Sequence, residues 1–238
     1  MVNNIYQHGS CITIDGTEFI FISGGTFAMG SHENEGNIDE HPQHIVNIAP
    51  FFISKNPTTQ LLYYTIMNEN PSLFKMNSNC PVENTSWLDA MRFCNRYSDK
   101  YSIKARLPFE CEWEYSCKAG TNSKYFWGNC DDPNIIDKYV WYGKNSNNQT
   151  QAVGHKLPNS WGIYDMCGNV WEWCMDWYDE KYYSISPEDN PKGPTTGKYK
   201  VMRGGSWSTS ICVRSAFRTW GEINQIDNTE GFRIVIEL

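Results

Sequence analysis

Histidines and acidic residues are concentrated in one polar segment, residues 31–43 and the position after it. Imidazole nitrogens and carboxylate oxygens bind metal ions, so this segment is a candidate metal site. The spacing of these residues matches no known ligand template. We therefore predict a solvated surface loop here and keep a metal site as the alternative. The residues concerned are His32, His41, His44, Glu33, Glu35, Asp39 and Glu40.

The chain contains nine cysteines, which could bind a metal or form disulfides. None belongs to a C-x-x-C pair, and the spacing is not that of a zinc site. The number is odd, and several cysteines have apolar neighbours, as in Phe93-Cys94 and Trp173-Cys174. This usage favours mostly buried free thiols in a reducing compartment, with one or two disulfides as the alternative.

The C-terminal stretch carries the clearest functional signal. It begins at Arg203-Gly204-Gly205-Ser206-Trp207, ends at Gly231-Phe232-Arg233, and is followed by a short apolar run. The residues between these blocks follow the period of neither a strand nor a helix. Loops held by a rigid scaffold often carry function, so we predict an ordered binding loop. The candidate ligand-binding residues are Ser208, Thr209, Ser210, Ile211, Val213, Phe217, Thr219, Trp220, Glu222, Asn224, Ile226 and Thr229.

Large rings among small polar residues characterise this stretch. Phe217 and Trp220 resemble the rigid aromatic anchors of a paratope, surrounded by adaptable hydrogen-bonding groups. The alternative is that both rings are core anchors of a loop without a ligand, because large rings are usually buried.

Four arginines are expected to bind backbone carbonyls and carboxylates that fix the loop, without a role in catalysis. They are Arg203, Arg214, Arg218 and Arg233.

Composition limits the possible partners and the number of domains. The chain has 238 residues, a net charge of -7 and a pI near 5.2. Its basic residues are scattered, so nucleic acid is not expected as a partner. The sequence contains no run of eighteen apolar residues, so no membrane span is predicted. No domain boundary is visible, so residues 1–238 are predicted to form a single domain. The N-terminus lacks a secretory signal, which favours a cytoplasmic protein, with surface display as the alternative if a signal was removed.

Short elements are expected to support the C-terminal stretch. Apolar spacing and Ser86 as N-cap predict a helix that buries Trp87, Ala90, Cys94 and Tyr97 on one face. Another helix should run from Thr58 or Thr59 to about Glu69, and a short third one from Glu110 to Lys118. Alternation predicts strands at Cys11–Ile14, Glu18–Ile22, Thr26–Gly30, His44–Ile53, Tyr139–Tyr142 and Tyr199–Met202. These elements predict an α+β fold with two main helices, several short antiparallel strands and many loops.

Six sequence blocks in a fixed order resemble the formylglycine-generating-enzyme (sulfatase-modifying factor) family. The resemblance covers roughly residues 18–236. It implies a variant of the C-type lectin fold whose binding face is built from the C-terminal region. The blocks are Gly24–Gly30, Pro81–Ala90, Arg106–Tyr115, Gly168–Trp173, Arg203–Trp207 and Gly231–Arg233.

The resemblance does not by itself imply an enzyme. Enzymes of this family bind copper with two cysteines that follow the equivalent of Trp207, and thiolates suit Cu(I). In this chain the interval from Ser208 to Arg218 contains only Cys212, and one thiolate cannot form a two-sulfur site. The related sulfoxide synthases need histidines from a further helical domain, for which this chain has no room. We therefore predict that the protein is not an enzyme, with an oxidoreductase acting on a thiol substrate as the alternative.

The family also includes the variable proteins of diversity-generating retroelements. Their diversified residues lie between a Gly-Gly-Ser-Trp block and a Gly-Phe-Arg block near the C-terminus, and this chain has that layout. The resemblance implies a receptor-type protein whose partner is an unknown protein or small ligand. A reverse transcriptase and a near-copy of the C-terminal coding sequence beside the gene would favour this interpretation, whereas a neighbouring sulfatase would favour an enzyme.

The resemblance implies no certain cofactor, but calcium is a candidate. Calcium-binding members use positions that correspond to Asp165, Gly168, Val170 and Glu172, and oxygen ligands suit this hard cation. The alternative is that Glu172 forms an ion pair with an arginine. A second calcium site of the family is not expected, because Asn145–Ala152 lacks the acidic residue that it needs.

Overall fold

The structure is a computed structural model that describes residues 6–210 and 213–238. Within these residues it contains four α-helices and eleven short β-strands. The helices are α1 (Gln60–Met67), α2 (Trp87–Tyr101), α3 (Glu110–Lys118) and α4 (Pro133–Tyr139). The strands are β1 (Cys11–Ile14), β2 (Thr17–Ile22), β3 (Gly25–Met29), β4 (His44–Ile48), β5 (Phe51–Ser54), β6 (Ala105–Arg106), β7 (Trp171–Trp177), β8 (Tyr199–Arg203), β9 (Arg218–Glu222), β10 (Glu230–Gly231) and β11 (Val235–Ile236).

The strands of the described residues form three sheets. The five-stranded sheet has the order β1-β2-β5-β11-β6, and the four-stranded sheet has the order β10-β7-β8-β9. Strands β3 and β4 form a separate antiparallel pair. In the larger sheet β11 pairs antiparallel with both neighbours, so that Val235 lies opposite Ile53 and Arg106. The C-terminal stretch therefore begins at β8 and returns to the same four-stranded sheet at β10, and the apolar run that follows it forms β11 inside the five-stranded sheet.

Capping residues and apolar spacing in the sequence account for where these helices start and which face they bury. Ser86 Oγ accepts a hydrogen bond from the backbone N–H of Asp89, and the Asp89 carboxylate accepts one from the N–H of Ser86, which closes a capping box at α2. The buried face of α2 carries Ala90, Phe93, Cys94 and Tyr97. At α1 the Thr59 side chain accepts a hydrogen bond from the backbone N–H of Leu62, which caps the helix. All three predicted helices are confirmed, and the α+β fold class with them.

Two expectations about the secondary structure are wrong. The segment 133–139 is a fourth helix, and Tyr139 ends it, so the predicted strand Tyr139–Tyr142 is absent apart from an isolated bridge between Trp141 and Gly168. Helix α4 has only seven residues and buries none of them fully, although Ile136 and Tyr139 pack against the core, and its start was marked by the Asp132 cap and Pro133. The predicted strand His44–Ile53 is two strands, β4 and β5, which belong to different sheets.

The core lies on both sides of β7. The fully buried Trp113 belongs to a cluster with α3, β4 and β8, and the fully buried Trp173 belongs to a second cluster with α1, α2 and β11. Of the eight cysteines that the structure describes, six are buried and all are free thiols, which agrees with the prediction. Two of the eight, Cys11 and Cys130, are exposed.

Candidate ligand-binding face

The exposed edge of the four-stranded sheet is strand β9. It pairs antiparallel with β8, with Trp220 opposite Val201 and Glu222 opposite Tyr199. The Trp220 side chain is 44% exposed, and its ring centroid lies 4.0 Å from that of Tyr199. Glu222 is exposed and Thr219 is half-buried. Strand β9 therefore presents one large, partly supported ring and an acidic side chain to solvent.

Ser208, Thr209 and Ser210 follow β8 in a tight turn. Ser208 and Ser210 are exposed, and Thr209 is half-buried. The Oγ1 atom of Thr209 accepts a hydrogen bond of 2.8 Å from the backbone N–H of Ser206, and the Thr209 carbonyl accepts one from the N–H of Gly143. The turn is thus held by a hydrogen bond within it and by one from a neighbouring loop.

The segment after β9 approaches this turn. The Trp207 Nε1 donates a 2.9 Å hydrogen bond to the carbonyl of Asn228. Ile226 is 60% exposed, Asn224 is exposed, and Thr229 is half-buried with its hydroxyl bonded to Asp227. Residues 206–210 and 223–229 therefore meet at Trp207 and form one continuous part of the surface.

Three predicted binding residues need separate comment. Val213 is only 2% exposed and packs in the core, so its side chain does not belong to the surface, and the prediction is corrected for this residue. Phe217 is half-buried, with its ring centroid 5.7 Å from that of Trp171. Ile211, like Cys212, lies outside the described residues. The sequence around Val213 follows no regular apolar period, so it could not show that the Val213 side chain points inward.

Buried arginines bind carboxylates and backbone carbonyls and so fix the C-terminal stretch, as predicted. The fully buried Arg203 donates to Glu110 and Glu114 and to the carbonyls of Ser215 and Ala216. Arg218 donates through Nε and Nη2 to both oxygens of Glu110, at 2.8 Å each. These contacts satisfy carbonyls and neutralise carboxylates that would otherwise be unpaired.

The acidic partners on α3 were not foreseen. Glu110 and Glu114 are one helical turn apart, so they lie on the same face, and both are buried. Their spacing, together with arginines elsewhere in the chain, was the available signal for a buried ion-pair network. Burial is the largest single influence on the Glu114 carboxyl and by itself would raise its pKa. The charges of Lys118 and Arg203 together outweigh this effect and lower the pKa to about 2.

The histidine-rich loop is only partly a solvated surface. A 3₁₀ turn at Ile38–Glu40 buries Asp39 and Glu40, and Glu40 accepts a bidentate ion pair from Arg214, which corrects the prediction for this part. His32 and His41 hydrogen-bond through Nε2 to the backbone carbonyls of Asn122 and Glu35. Among the residues that the structure describes, no group of three or more His, Cys, Asp or Glu side chains is arranged to hold a metal ion.

The four positions assigned to calcium lie around the start of β7. The Glu172 carboxylate accepts a bidentate ion pair from Arg233 and a 2.6 Å hydrogen bond from Trp113 Nε1, which is the arrangement foreseen as the alternative. Asp165 is different: its Oδ2 accepts from the N–H of Gly154, but its buried Oδ1 has no partner within residues 6–210 and 213–238. Burial raises the pKa of Asp165 to about 6.

The donor set therefore fits a calcium ion only in part. Asp165 could supply one free carboxylate oxygen, and Gly168 and Val170, three and five positions further along the chain, are also buried. Glu172 is already neutralised by Arg233, and a cation would have to share this carboxylate with the guanidinium group. Calcium at these residues stays a prediction.

Residue Asn169, between Gly168 and Val170, is a structural centre that was not singled out. It is fully buried and has a left-handed backbone conformation, with φ of 63°. Its backbone bonds both Trp141 and Trp207, and its side-chain amide forms two hydrogen bonds with the backbone of Gln151. It therefore connects three loops.

No α-helix in the described part of the chain is both long enough and apolar enough to cross a membrane.

Comparison with known families adds independent information. A family model described as the sulfatase-modifying factor enzyme 1-like domain matches residues 11–238. The chain is 32% identical over 246 residues to "Serine/threonine-protein kinase pkn1" of Chlamydia caviae, covering 91% of this chain and 37% of that protein. It is 40% identical over 149 residues to the formylglycine-generating enzyme of Mus musculus, covering 58% of this chain and 38% of the enzyme. The chain thus spans less than two fifths of the length of these two relatives.

Two solved structures share nearly the whole fold. "Treponema denticola variable protein 1" superimposes with a TM-score of 0.86 and 28% identity, covering 95% of this chain and 98% of that one. PvdO from Pseudomonas aeruginosa superimposes with a TM-score of 0.88 and 25% identity, covering 98% and 100%.

Proposed function

The chain belongs to the sulfatase-modifying factor enzyme 1-like family, and we propose that it is a ligand-binding protein that presents residues 208–229 as a variable face. It has the C-type lectin-like fold of this family, as the sequence resemblance implied, and it resembles a variable protein of a diversity-generating retroelement. The ligand is an unknown protein or small molecule that contacts this face.

One observation carries the proposal: the C-terminal stretch is divided between a buried frame and exposed side chains. The frame consists of arginines and glycines that bond or pack against α3, β7 and β8, among them Arg203, Arg218 and Gly221. A side chain at Gly221 would meet Trp173 at 2.6 Å, so this position cannot vary freely. The exposed side chains among the predicted binding residues are Ser208, Ser210, Trp220, Glu222, Asn224 and Ile226.

This division suits a scaffold whose binding residues change while the fold stays constant. Substitution of exposed side chains usually alters stability little, whereas changes in the frame remove buried ion pairs or create clashes. Trp220 and Ile226 supply apolar contact area, and the serines and Asn224 supply hydrogen-bonding groups, a combination typical of paratopes. The similarity to the Treponema denticola variable protein supports the same conclusion.

The proposal is tested by sequencing the gene and its surroundings in a population of the source organism. We expect a reverse transcriptase and a near-copy of the C-terminal coding sequence beside the gene. We also expect differences between individual copies to fall on the codons of the exposed positions and to spare those of Arg218 and Gly221. The exposed face of α2 is the matched control, because its surface residues should not show this excess. Differences spread evenly over both segments would contradict the proposal.

A second candidate is an oxidoreductase that acts on a thiol, and the identity to the mouse formylglycine-generating enzyme favours it. Against it stands the interval from Ser208 to Arg218, which contains Cys212 as its only cysteine. The two-thiolate copper site implied by the family resemblance needs a second cysteine there. A neighbouring sulfatase gene, together with specific Cu(I) binding, would support this candidate.

A further inference from the structure

The segment between strands β9 and β10 is bridged by the side chain of Gln225. The Gln225 Oε1 accepts a 3.3 Å hydrogen bond from the backbone N–H of Glu222, at the end of β9, and its Nε2 donates to the carboxyl group of Glu230, at the start of β10. The Gln225 backbone N–H donates to the Glu222 carbonyl at 2.9 Å. The residues on either side of Gln225 are Asn224 and Ile226, two exposed residues of the proposed face. The bridge therefore fixes the part of the face that they form.

The carboxyl group of Glu230 is buried without a counter-charge. The residue is 2% exposed, and its Oε2 has no hydrogen-bond partner in residues 6–210 and 213–238. None of the ion pairs within these residues includes Glu230. An ionised carboxylate in this position exchanges its water shell mainly for the amide of Gln225. Such an exchange is costly, because one neutral donor replaces several water molecules.

The charged groups around Glu230 do not compensate for this loss. Asp227, in the same segment, is exposed and repels an ionised Glu230. The segment before α2, which bonds to the Glu230 carbonyl, contributes Glu83, which is fully buried and also has an unpartnered Oε2 within the described residues. Strand β7, which pairs with β10, contributes Glu172, and Arg233 already neutralises this carboxylate. These neighbours therefore offer Glu230 no free positive charge.

The surroundings of Glu230 favour its protonated form. Burial raises the pKa of Glu230 to about 7, from an ordinary value of 4.5. Burial and the charge of Asp227 together outweigh the hydrogen bond from Gln225, which lowers the pKa. The stability that Glu230 contributes to the bridged arrangement is therefore fully present below pH 4.5 and is lost as the pH rises through about 7.

We propose that Glu230 makes the binding face sensitive to pH: the protonated residue keeps residues 223–226 bridged, and the ionised residue releases them so that water reaches its carboxylate. In the released state Asn224 and Ile226 have no fixed position, and ordering them during binding costs entropy. The face should therefore hold its ligand more weakly at neutral pH than in mildly acidic solution. This inference rests on the proposed function for its biological role, because it concerns two residues of that face.

The test is hydrogen exchange of the backbone N–H groups of Glu222 and Gln225, followed in ¹H–¹⁵N correlation spectra. Both groups are hydrogen-bonded within the bridge, so their protection measures how often the bridge opens. After correction for the pH dependence of exchange in an unfolded peptide, we expect protection to fall by at least about tenfold between about pH 4.5 and about pH 7.5. Glu230→Gln should keep its protection over this range. Glu69→Gln, an exposed residue after α1, is the matched control and should behave like the wild type.

Protection that is independent of pH in the wild type would overturn the proposal, and so would an equal fall in Glu230→Gln. Asp227→Asn provides a second test that does not depend on the folding of Glu230→Gln. It removes a repulsive charge, so the fall in protection should be smaller than in the wild type, and an equal or larger fall would contradict the proposed arrangement. A pH-sensitive bridge without sequence variation in the gene would refute the proposed function alone. A variable face with a pH-independent bridge would refute the role of Glu230 alone.

Discussion

Arg218 of strand β9 and Glu110 of helix α3 form a buried ion pair in which both carboxylate oxygens are bonded at 2.8 Å. The same carboxylate accepts a 3.0 Å hydrogen bond from Arg203 of β8. One glutamate therefore holds two adjacent strands of the four-stranded sheet against a helix. All three side chains are nearly inaccessible to water. Removing one of the three charges would therefore leave a buried charge without its full set of partners, which is strongly destabilising.

We expect Glu110→Gln to destabilise the protein by roughly 3–5 kcal/mol, because it leaves two buried guanidinium groups without their shared carboxylate. Urea unfolding followed by circular dichroism measures the change. Glu222→Gln, an exposed residue on the same edge strand, is the control and should change stability by less than about 0.5 kcal/mol. Equal losses in the two variants would show that the buried network does not stabilise the frame.

Trp220 and Trp173 should respond very differently to removal of the ring. We expect Trp220→Ser to cost about 1 kcal/mol, because its ring is partly exposed and packs mainly on Tyr199. Trp173→Ser should cost roughly 3–5 kcal/mol, because that ring is fully buried. Thermal or urea unfolding gives both values. A large loss for Trp220→Ser would support the alternative that this ring is a core anchor and not part of a binding surface.

The Asp165 carboxyl should make stability depend on pH. Burial raises its pKa in the folded protein to about 6, above the ordinary value of 3.8, so folding favours the protonated form. The stability that this group contributes is present below pH 3.8 and is lost as the pH rises through about 6. Without divalent cations, the stability of the wild type relative to Asp165→Asn should therefore fall by roughly 2 kcal/mol between about pH 4.5 and about pH 7.5.

Urea unfolding at a series of pH values checks this dependence. Asp131→Asn is the control, because a hydrogen bond from Lys124 lowers the pKa of that largely exposed carboxyl. Its pH dependence should be small and of the opposite sign. A difference between wild type and Asp165→Asn that stays constant with pH would contradict the assignment.

Calcium should act through the same carboxylate. If Ca²⁺ binds the free oxygen of ionised Asp165, millimolar Ca²⁺ at about pH 7.5 should raise the melting temperature by roughly 2–4 °C. The rise should disappear in Asp165→Asn and should not be reproduced by Mg²⁺, which prefers a rigid octahedral site. A wild type that melts at the same temperature with Ca²⁺ and with a chelator would exclude a functional calcium site here.

Copper binding separates the two functional candidates. Under anaerobic reducing conditions, we expect no specific Cu(I) binding in competition with a Cu(I) chelator, because the C-terminal stretch offers one cysteine where a linear site needs two thiolates. The comparison is between the wild type and Cys212→Ala, which should behave alike. Tight one-to-one binding that is lost in the variant would refute this expectation and support an oxidoreductase.

Local signals in the sequence determined much of the fold. Ser86 and Thr59 marked two helix starts, and the apolar spacing from Trp87 to Tyr97 defined the buried face of α2, because caps and periodicity act within one or two turns. The six family blocks identified the fold and marked the C-terminal stretch, which lies between β8 and β10, as the candidate binding region. Helix α4 was missed because its seven residues are too few for apolar spacing to distinguish a helix from a strand.

Only the tertiary structure decided which residues of the C-terminal stretch face solvent and which contacts hold them. Val213 is buried and Trp220 is exposed, although both lie in a segment without regular period. The pairing of Arg218 with Glu110 joins residues 108 positions apart, and Asn169 links loops around Trp141, Gln151 and Trp207. Contacts over such separations depend on how the sheets and helices pack, and periodicity along the chain holds no information about that packing.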